Sequence, residues 1–234
     1  MSDSRECSTP PYINNSIDDK VDINYSQGQF SVRSASKRVF DIFISIFMAL
    51  ILIPLLISIA VLIIATDGWP VIIKHRRIGR GGRPFSCFKF RTMVSNGDEV
   101  LRLHLARSGE ARSEWETTRK LKDDPRVTYL GRALRKSSVD ELPQLLNILR
   151  GDMSLVGPRP IVADEVRHYG SHIQKYYRVR PGLTGSWQVG GRNDASYARR
   201  IEMDVDYVET FSFGGDLLIL AKTVPAVLTT RGSY

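Results

Sequence analysis

From Ile42 to Thr66 the chain carries no charged residue. An apolar run of about 25 residues is long enough to cross the hydrocarbon core of a bilayer, and a helix that is apolar all round cannot sit on the surface of a soluble domain. The run begins too far from the N-terminus, and is too long, for a simple secretory signal, so the segment is expected to stay in the protein. Pro54 lies near its centre, where a proline removes a backbone hydrogen bond and kinks a helix. Basic residues stand on both sides: Arg33, Lys37 and Arg38 before it, and Lys74, Arg76, Arg77, Arg80 and Arg83 after it. A simple span concentrates its positive charge on one side. Two topologies therefore fit: an ordinary span with a tolerated proline, or a kinked, re-entrant helix with both ends in the cytoplasm.

This segment divides the 234 residues into three parts. Residues 1–35 are rich in Ser, Asp and Asn without apolar periodicity and read as a disordered polar tail. Residues 36–70 form the membrane helix. Residues 71–234 form the catalytic or binding domain, long enough for a core of its own. The formal net charge of +8 points to an anionic partner: nucleic acid, a lipid surface or phosphorylated small molecules. Two cysteines, Cys7 and Cys87, give neither a disulfide framework nor a metal spacing.

In the domain, PVIIKHRRIG and RPFSCFKFRTM are β-rich runs separated by Arg-Gly-Gly, which predicts a hairpin with Lys89 and Arg91 at its far end. The glycines lack a P-loop pattern and read as a plain turn. Residues 96–120 and 162–178 read as amphipathic helices carrying Trp115, Tyr169, Tyr176 and Tyr177, suited either to a lipid interface or to covering the domain's own core. His168 and His172, four apart, read as a solvated helix face. The fold class is α+β: mainly helical with a small β-hairpin, attached to a membrane by one N-terminal hydrophobic helix plus amphipathic interfacial helices.

The densest chemistry lies in KSSVDELPQLLNILRGDMSLVGPRP, Lys136 to Pro160. Leu142, Leu145, Leu146 and Leu149 follow the spacing of one helical face, Pro143 suits a first turn, and Gly151 is a natural stop. Asp140 and Glu141 then fall at the positive end of a helix, as ordinary caps do. Their company is less ordinary. Arg135 and Lys136 precede them, and Arg159 follows in a Gly-Pro-Arg-Pro turn. Arginines converging on a helix N-terminus make a phosphate site. A carboxylate inside such a site is electrostatically odd unless it attacks phosphorus or holds a metal.

With KRVFD before the helix, RRIGRGGRPFSCFKFRTM, DELPQL, GDMSLVGPRP, RPGLTGSWQVGGRND and the closing RGSY, the chain resembles the bacterial sugar transferases. These are the polyprenyl-phosphate hexose-1-phosphate transferases, or monotopic phosphoglycosyl transferases, and the likeness is to short exopolysaccharide-priming members. It runs from Lys37 to the C-terminus. It implies transfer of a sugar-1-phosphate from a UDP-sugar to undecaprenyl phosphate at the cytoplasmic face of the inner membrane, with Mg²⁺. Galactose or glucose is the expected sugar. It also implies that Asp140 is the nucleophile and that Glu141, with Asp140, holds the metal. Arg135, Arg159, Lys89 and Arg91 would bind phosphate. Trp187 and Gln188 are candidates for the nucleotide, Trp187 reading equally well as core. Membrane lipids are expected partners and nucleic acid is not. The family's re-entrant helix favours that topology, although relatives place a serine before the proline where this chain has Ile53. The competing reading is a membrane-tethered basic binding protein without catalysis. It leaves the acids among the arginines unexplained, because carboxylates weaken phosphate binding.

Overall fold

The computed structural model describes residues 31–118, 121–190 and 196–228. The tail through residue 30, the Arg-Asn-Asp of RPGLTGSWQVGGRND and the RGSY motif lie outside the described residues.

Helix α1, Ser31–Asp67, is 37 residues long and runs through Pro54 without ending there. It starts inside the stretch assigned to the polar tail, because helix geometry extends a turn beyond the change in composition. One stripe faces inward from Phe40 to Ile63. Asp41, Ser45, Ile59 and Ile63 are buried, while Phe40, Ile44, Met48 and Leu52 pack on one hydrophobic cluster and Leu56 and Ala60 on another. The opposite side stays apolar and exposed, with Val39, Phe43, Phe47, Leu50, Ile57 and Val61. A contiguous apolar surface of this kind marks an interaction site.

Both ends of α1 are tied to the globular part. At the start, Lys37 Nζ is 2.5 Å from Asp216, and Asp41 Oδ1 accepts from the Leu155 amide at 3.3 Å. At the end, the Arg91 guanidinium donates to the carbonyls of Asp67, Gly68 and Trp69, and Thr128 Oγ1 donates to Asp67 Oδ2 at 3.1 Å.

Strands β1, Ile72–Ile78, and β2, Pro84–Phe90, form the expected antiparallel hairpin, closed by a short 3-10 turn at Arg80–Gly82. Two helices follow, α2 (Gly97–Arg107) and α3 (Gly109–Thr118), separated at Ser108, so residues 96–120 are two helices rather than one. Helix α4, Tyr129–Lys136, leads into a 3-10 turn at Val139–Gln144 and then α5, Leu145–Arg150. A short strand β3, Ser154–Val156, pairs in parallel with β4, Gly182–Thr184.

Between them the chain makes a string of short turns that includes α6, Val166–Tyr169, and α7, Ile173–Tyr177. Tyr169, Tyr176 and Tyr177 are buried here, so this face of the segment covers the domain's own core. The Tyr176 hydroxyl donates to the Ile78 carbonyl at 2.7 Å, joining it to β1. Its polar side carries the exposed His168 and His172, as expected. Helices α8 (Ser186–Gly190), α9 (Tyr197–Glu209) and α10 (Phe213–Leu228) complete the described chain. The architecture is mainly helical with a small antiparallel strand pair.

Candidate active site

The carboxylate pair is held by a sharp reversal. Helix α4 ends at Lys136 with Ser137 as its C-cap, Ser138 adopts a left-handed backbone (φ 57°), and the 3-10 turn carrying Asp140 and Glu141 begins immediately after it. Ser138 is the only non-glycine residue with positive φ among the described residues. Such conformations cost energy and persist where the surroundings fix them. The sequence placed both acids in the first turn of an α-helix. They instead precede α5, on the 3-10 turn that runs straight into it, and Gly151 stops α5 in the left-handed region (φ 94°), as expected.

The buried face of α5 also differs from the leucine stripe. Leu145 and Ile148 are buried, Leu146 is exposed, and the fully buried Asn147 takes the central place. Its Oδ1 accepts from the Phe88 amide at 2.9 Å and its Nδ2 donates to the Ser86 carbonyl at 2.8 Å, which fastens α5 to β2. At the other end, Arg38 of the KRVFD motif donates to the carbonyls of Ile148 and Leu149, at 2.5 and 3.0 Å. A cation on the last free carbonyls of a helix is a C-cap. Helix α1 is thereby bolted to the short helix that the carboxylate-bearing turn precedes.

Strand alternation brings the cations to the acids. Arg77 pairs with Phe85, His75 with Cys87 and Ile73 with Lys89, so Arg77, His75, Cys87 and Lys89 share one face of the hairpin. Lys89 Nζ lies 2.6 Å from Glu141 Oε1 and 3.9 Å from Asp140 Oδ2. Arg77, Lys89, Glu141, Arg159 and Gln188 line one small cleft with Cys87 at its wall. Burial pushes the Asp140 carboxyl up to about 6, with Glu141 adding to the rise and Lys89 and Arg135 opposing it. Burial also works against ionisation of Glu141, but Lys89, Arg159 and Arg77 outweigh it and hold that carboxyl below its usual range. The Cys87 thiol is pushed up by burial to about 11, which leaves it an inert wall.

Of the expected site residues, Asp140, Glu141, Lys89, Arg159 and Gln188 converge on this region. Arg135 stands on the Asp140 side, its Nε donating to Thr92 Oγ1 at 2.9 Å. Arg91 is elsewhere: it is buried and spends its guanidinium on the end of α1, so it braces that helix and is not among the residues lining the cleft. Trp187 is buried, with the Arg159 and Arg200 guanidiniums 5.7 and 4.7 Å from its ring centre. That favours its reading as core, a platform for Arg159. Gln188 lines the cleft while its Nε2 donates to the Leu183 carbonyl at 3.1 Å. In the sequence Arg77 reads only as one of several flanking cations. Its period-two spacing from His75 in a strand paired with Cys87 and Lys89 was the available signal.

Among the described residues no group of three or more His, Cys, Asp or Glu side chains could hold a metal by itself. Two adjacent carboxylates next to a cleft lined by cations do fit Mg²⁺, which is commonly held by one or two carboxylates together with substrate phosphates. Lys89 occupies Glu141 here, and a metal would share or take over that contact.

The profile of the bacterial sugar transferase family matches residues 32–230. The exopolysaccharide production protein ExoY of Sinorhizobium fredii is 54% identical over 199 residues, covering 85% of this chain and 88% of that protein. The undecaprenyl-phosphate galactose phosphotransferase of Salmonella typhimurium is 50% identical over 198 residues, 85% of this chain but 41% of its own. The UDP-glucose:undecaprenyl-phosphate glucose-1-phosphate transferase of Caulobacter vibrioides is 40% identical over 206 residues, with 85% and 72% covered.

Proposed function

The chain belongs to the bacterial sugar transferase family, and from that premise we propose that it transfers galactose-1-phosphate or glucose-1-phosphate from a UDP-sugar to undecaprenyl phosphate, releasing UMP. This would be the priming step of exopolysaccharide synthesis. The observation that carries the reading is a buried carboxylate, Asp140, placed with Glu141 beside Lys89 at a cleft lined by Arg77 and Arg159. The family is one of enzymes, and the tethered binding protein gives way to it.

In the first step an Asp140 oxygen attacks the sugar-bearing phosphorus. The bond from that phosphorus to the bridging oxygen breaks, UMP leaves with the electron pair, and the sugar phosphate stays on the carboxylate as an acyl phosphate. In the second step an undecaprenyl phosphate oxygen attacks the same phosphorus and the carboxylate is released. An ionised aspartate needs no base to attack, but it must approach a diphosphate of like sign. Arg77, Arg159 and Lys89 offset that repulsion, and planar guanidinium forks suit phosphate oxygens. Mg²⁺ held by Glu141 and Asp140 would supply neutralisation of charge on the departing phosphate. Glu141→Gln is then expected to lower the rate and to raise the Mg²⁺ concentration needed for half-maximal activity. Full activity of the unaltered enzyme in excess chelator would remove the metal from the reaction.

The test of the activity is UMP release by the purified enzyme in membranes holding undecaprenyl phosphate, across UDP-galactose, UDP-glucose and their N-acetylated counterparts. Acceptor-dependent UMP release with galactose or glucose is expected. No acceptor-dependent release from any donor overturns the reading.

The membrane arrangement belongs to the same proposal: α1 enters and leaves on the cytoplasmic face. Its two ends are bound to one globular domain, through Lys37, Arg38 and Asp41 at one end and Asp67 at the other. A helix crossing the bilayer would carry one end away from that domain. With Ser31→Cys in a background lacking the two native cysteines, a membrane-impermeant thiol reagent added to intact cells is expected to leave the residue unlabelled. Strong labelling from outside would mean that α1 spans.

A further inference from the structure

We propose that His75 hydrogen-bonds a hydroxyl of the hexose on the UDP-sugar, so that the hairpin recognises the sugar as well as its phosphates. The inference rests on the sugar-phosphate transfer proposed above. His75 has no part in the steps derived there, although it stands on the same face of the hairpin. It lies directly opposite Cys87, two residues from Arg77 and diagonally across from Lys89. Those three neighbours all line the cleft. Side chains opposite one another across a strand pair have Cβ atoms about 5 Å apart, and diagonal neighbours about 7–8 Å. His75 is therefore within side-chain reach of the cleft wall. Unlike the buried Cys87, it is exposed.

The chemistry of this face divides in two. Arg77 and Lys89 are cations at neutral pH and suit phosphate oxygens. His75 is of another kind. An imidazole is mostly uncharged at neutral pH to begin with. Loss of water on the protein side of the ring, and then the charges of Arg77, Lys89 and Arg135, hold it below its ordinary range. A neutral imidazole offers one N–H donor and one acceptor nitrogen. That set matches a hydroxyl, which both donates and accepts, and adds little for phosphate beside two fixed cations. Its place fits the hexose as well. The charges of Lys89 and Arg135 act on both His75 and Asp140, so His75 is close to the carboxylate that would attack the sugar-bearing phosphorus. The group that stays on that phosphorus is the sugar.

The test compares the full-length parent with His75→Ala, His75→Gln and His75→Lys in membranes holding undecaprenyl phosphate. Two quantities are read: kcat/KM for the UDP-hexose that the parent prefers, and inhibition by UDP, which keeps the nucleotide and both phosphates but lacks the sugar. His75→Ala is expected to lower kcat/KM about five- to tenfold, the size of one hydrogen bond between neutral groups. Inhibition by UDP should stay within about twofold of the parent, because no contact to the nucleotide or its phosphates is lost. His75→Gln keeps a donor and an acceptor and should recover most of the loss, whereas His75→Lys brings donors and a charge and should not. Inhibition by UDP that weakens in step with kcat/KM, or recovery by His75→Lys, would make His75 a phosphate ligand and overturn the proposal. Unchanged kcat/KM in His75→Ala also overturns it, while turnover by the parent leaves the transfer reading standing. No acceptor-dependent UMP release by the parent from any UDP-hexose overturns that reading and this inference together.

Discussion

Asp140→Asn is expected to abolish turnover, with a loss of at least a thousandfold, while making the protein more stable at neutral pH. The two effects have one cause. An amide is a very poor nucleophile, so no acyl phosphate forms, and brief exposure to a UDP-sugar labelled in the sugar should mark the unaltered protein but not the variant. The stability effect follows from burial. The Asp140 carboxyl is raised from 3.8 to about 6, so the folded state binds its proton more tightly than the unfolded chain does. For such a group the ionisation penalty is absent below about pH 4, grows between 4 and 6, and is complete above 6. That difference corresponds to at most about 3 kcal/mol, which a neutral side chain of the same shape does not incur. Thermal or denaturant unfolding at pH 7.5 should show Asp140→Asn above the parent, with the gap closing toward pH 4. For the parent, kcat/KM is expected to fall about tenfold per pH unit below 6, as the carboxylate becomes protonated. A labelled variant retaining turnover would assign the nucleophile elsewhere. A variant less stable than its parent at pH 7.5 would mean that Asp140 holds the fold rather than straining it.

Such a residue is legible in the sequence because its surroundings are local. The acids, the proline after them and Gly-Pro-Arg-Pro fall within one short run, and the hairpin that brings Lys89 is announced by β-rich runs around Arg-Gly-Gly. Other assignments depended on distant chain. Nothing near Arg91 reveals that the end of α1 arrives there, so an arginine two residues after Lys89 looked equally suited to phosphate. Periodicity chose Leu142, Leu145, Leu146 and Leu149 as the inner face of α5. The actual face is rotated toward Asn147, because strand β2 needs a donor and an acceptor for its edge. A buried amide is invisible to a pattern that counts only apolar residues. The tyrosines of residues 162–178 fit lipid and core alike in the sequence, and the bonds from Tyr176 to Ile78 and from Tyr169 to Asp204 turn them inward.

Gly182→Ala is expected to disable the enzyme from a position that touches no reacting atom. Strands β3 and β4 approach so closely that a Cβ at residue 182 would lie 2.1 Å from the Gly157 nitrogen and 2.4 Å from the Thr184 carbonyl oxygen. Both neighbours are backbone and cannot rotate aside. The contact is also what fixes Arg159: the Gly182 amide donates to the Pro158 carbonyl at 2.8 Å, and the Gly157 amide donates to the Thr184 carbonyl at 3.0 Å. A methyl group forced between them must push the Gly-Pro-Arg-Pro turn outward and carry the guanidinium with it. Overpacking of this kind costs about 1–3 kcal/mol of stability. A displacement of about 1 Å in a positioned group can cost about a hundredfold in rate. The variant should therefore remain folded under assay conditions, lose roughly 2 °C or more in Tm, and show kcat/KM for the UDP-sugar reduced about a hundredfold. Gly109→Ala is the matched control, since a Cβ there meets nothing within 4 Å. It should leave both readouts within error of the parent. If Gly182→Ala lowered Tm but kept full kcat/KM, the β3–β4 contact would serve the fold alone, and the position of Arg159 would have to be set by its stacking on Trp187.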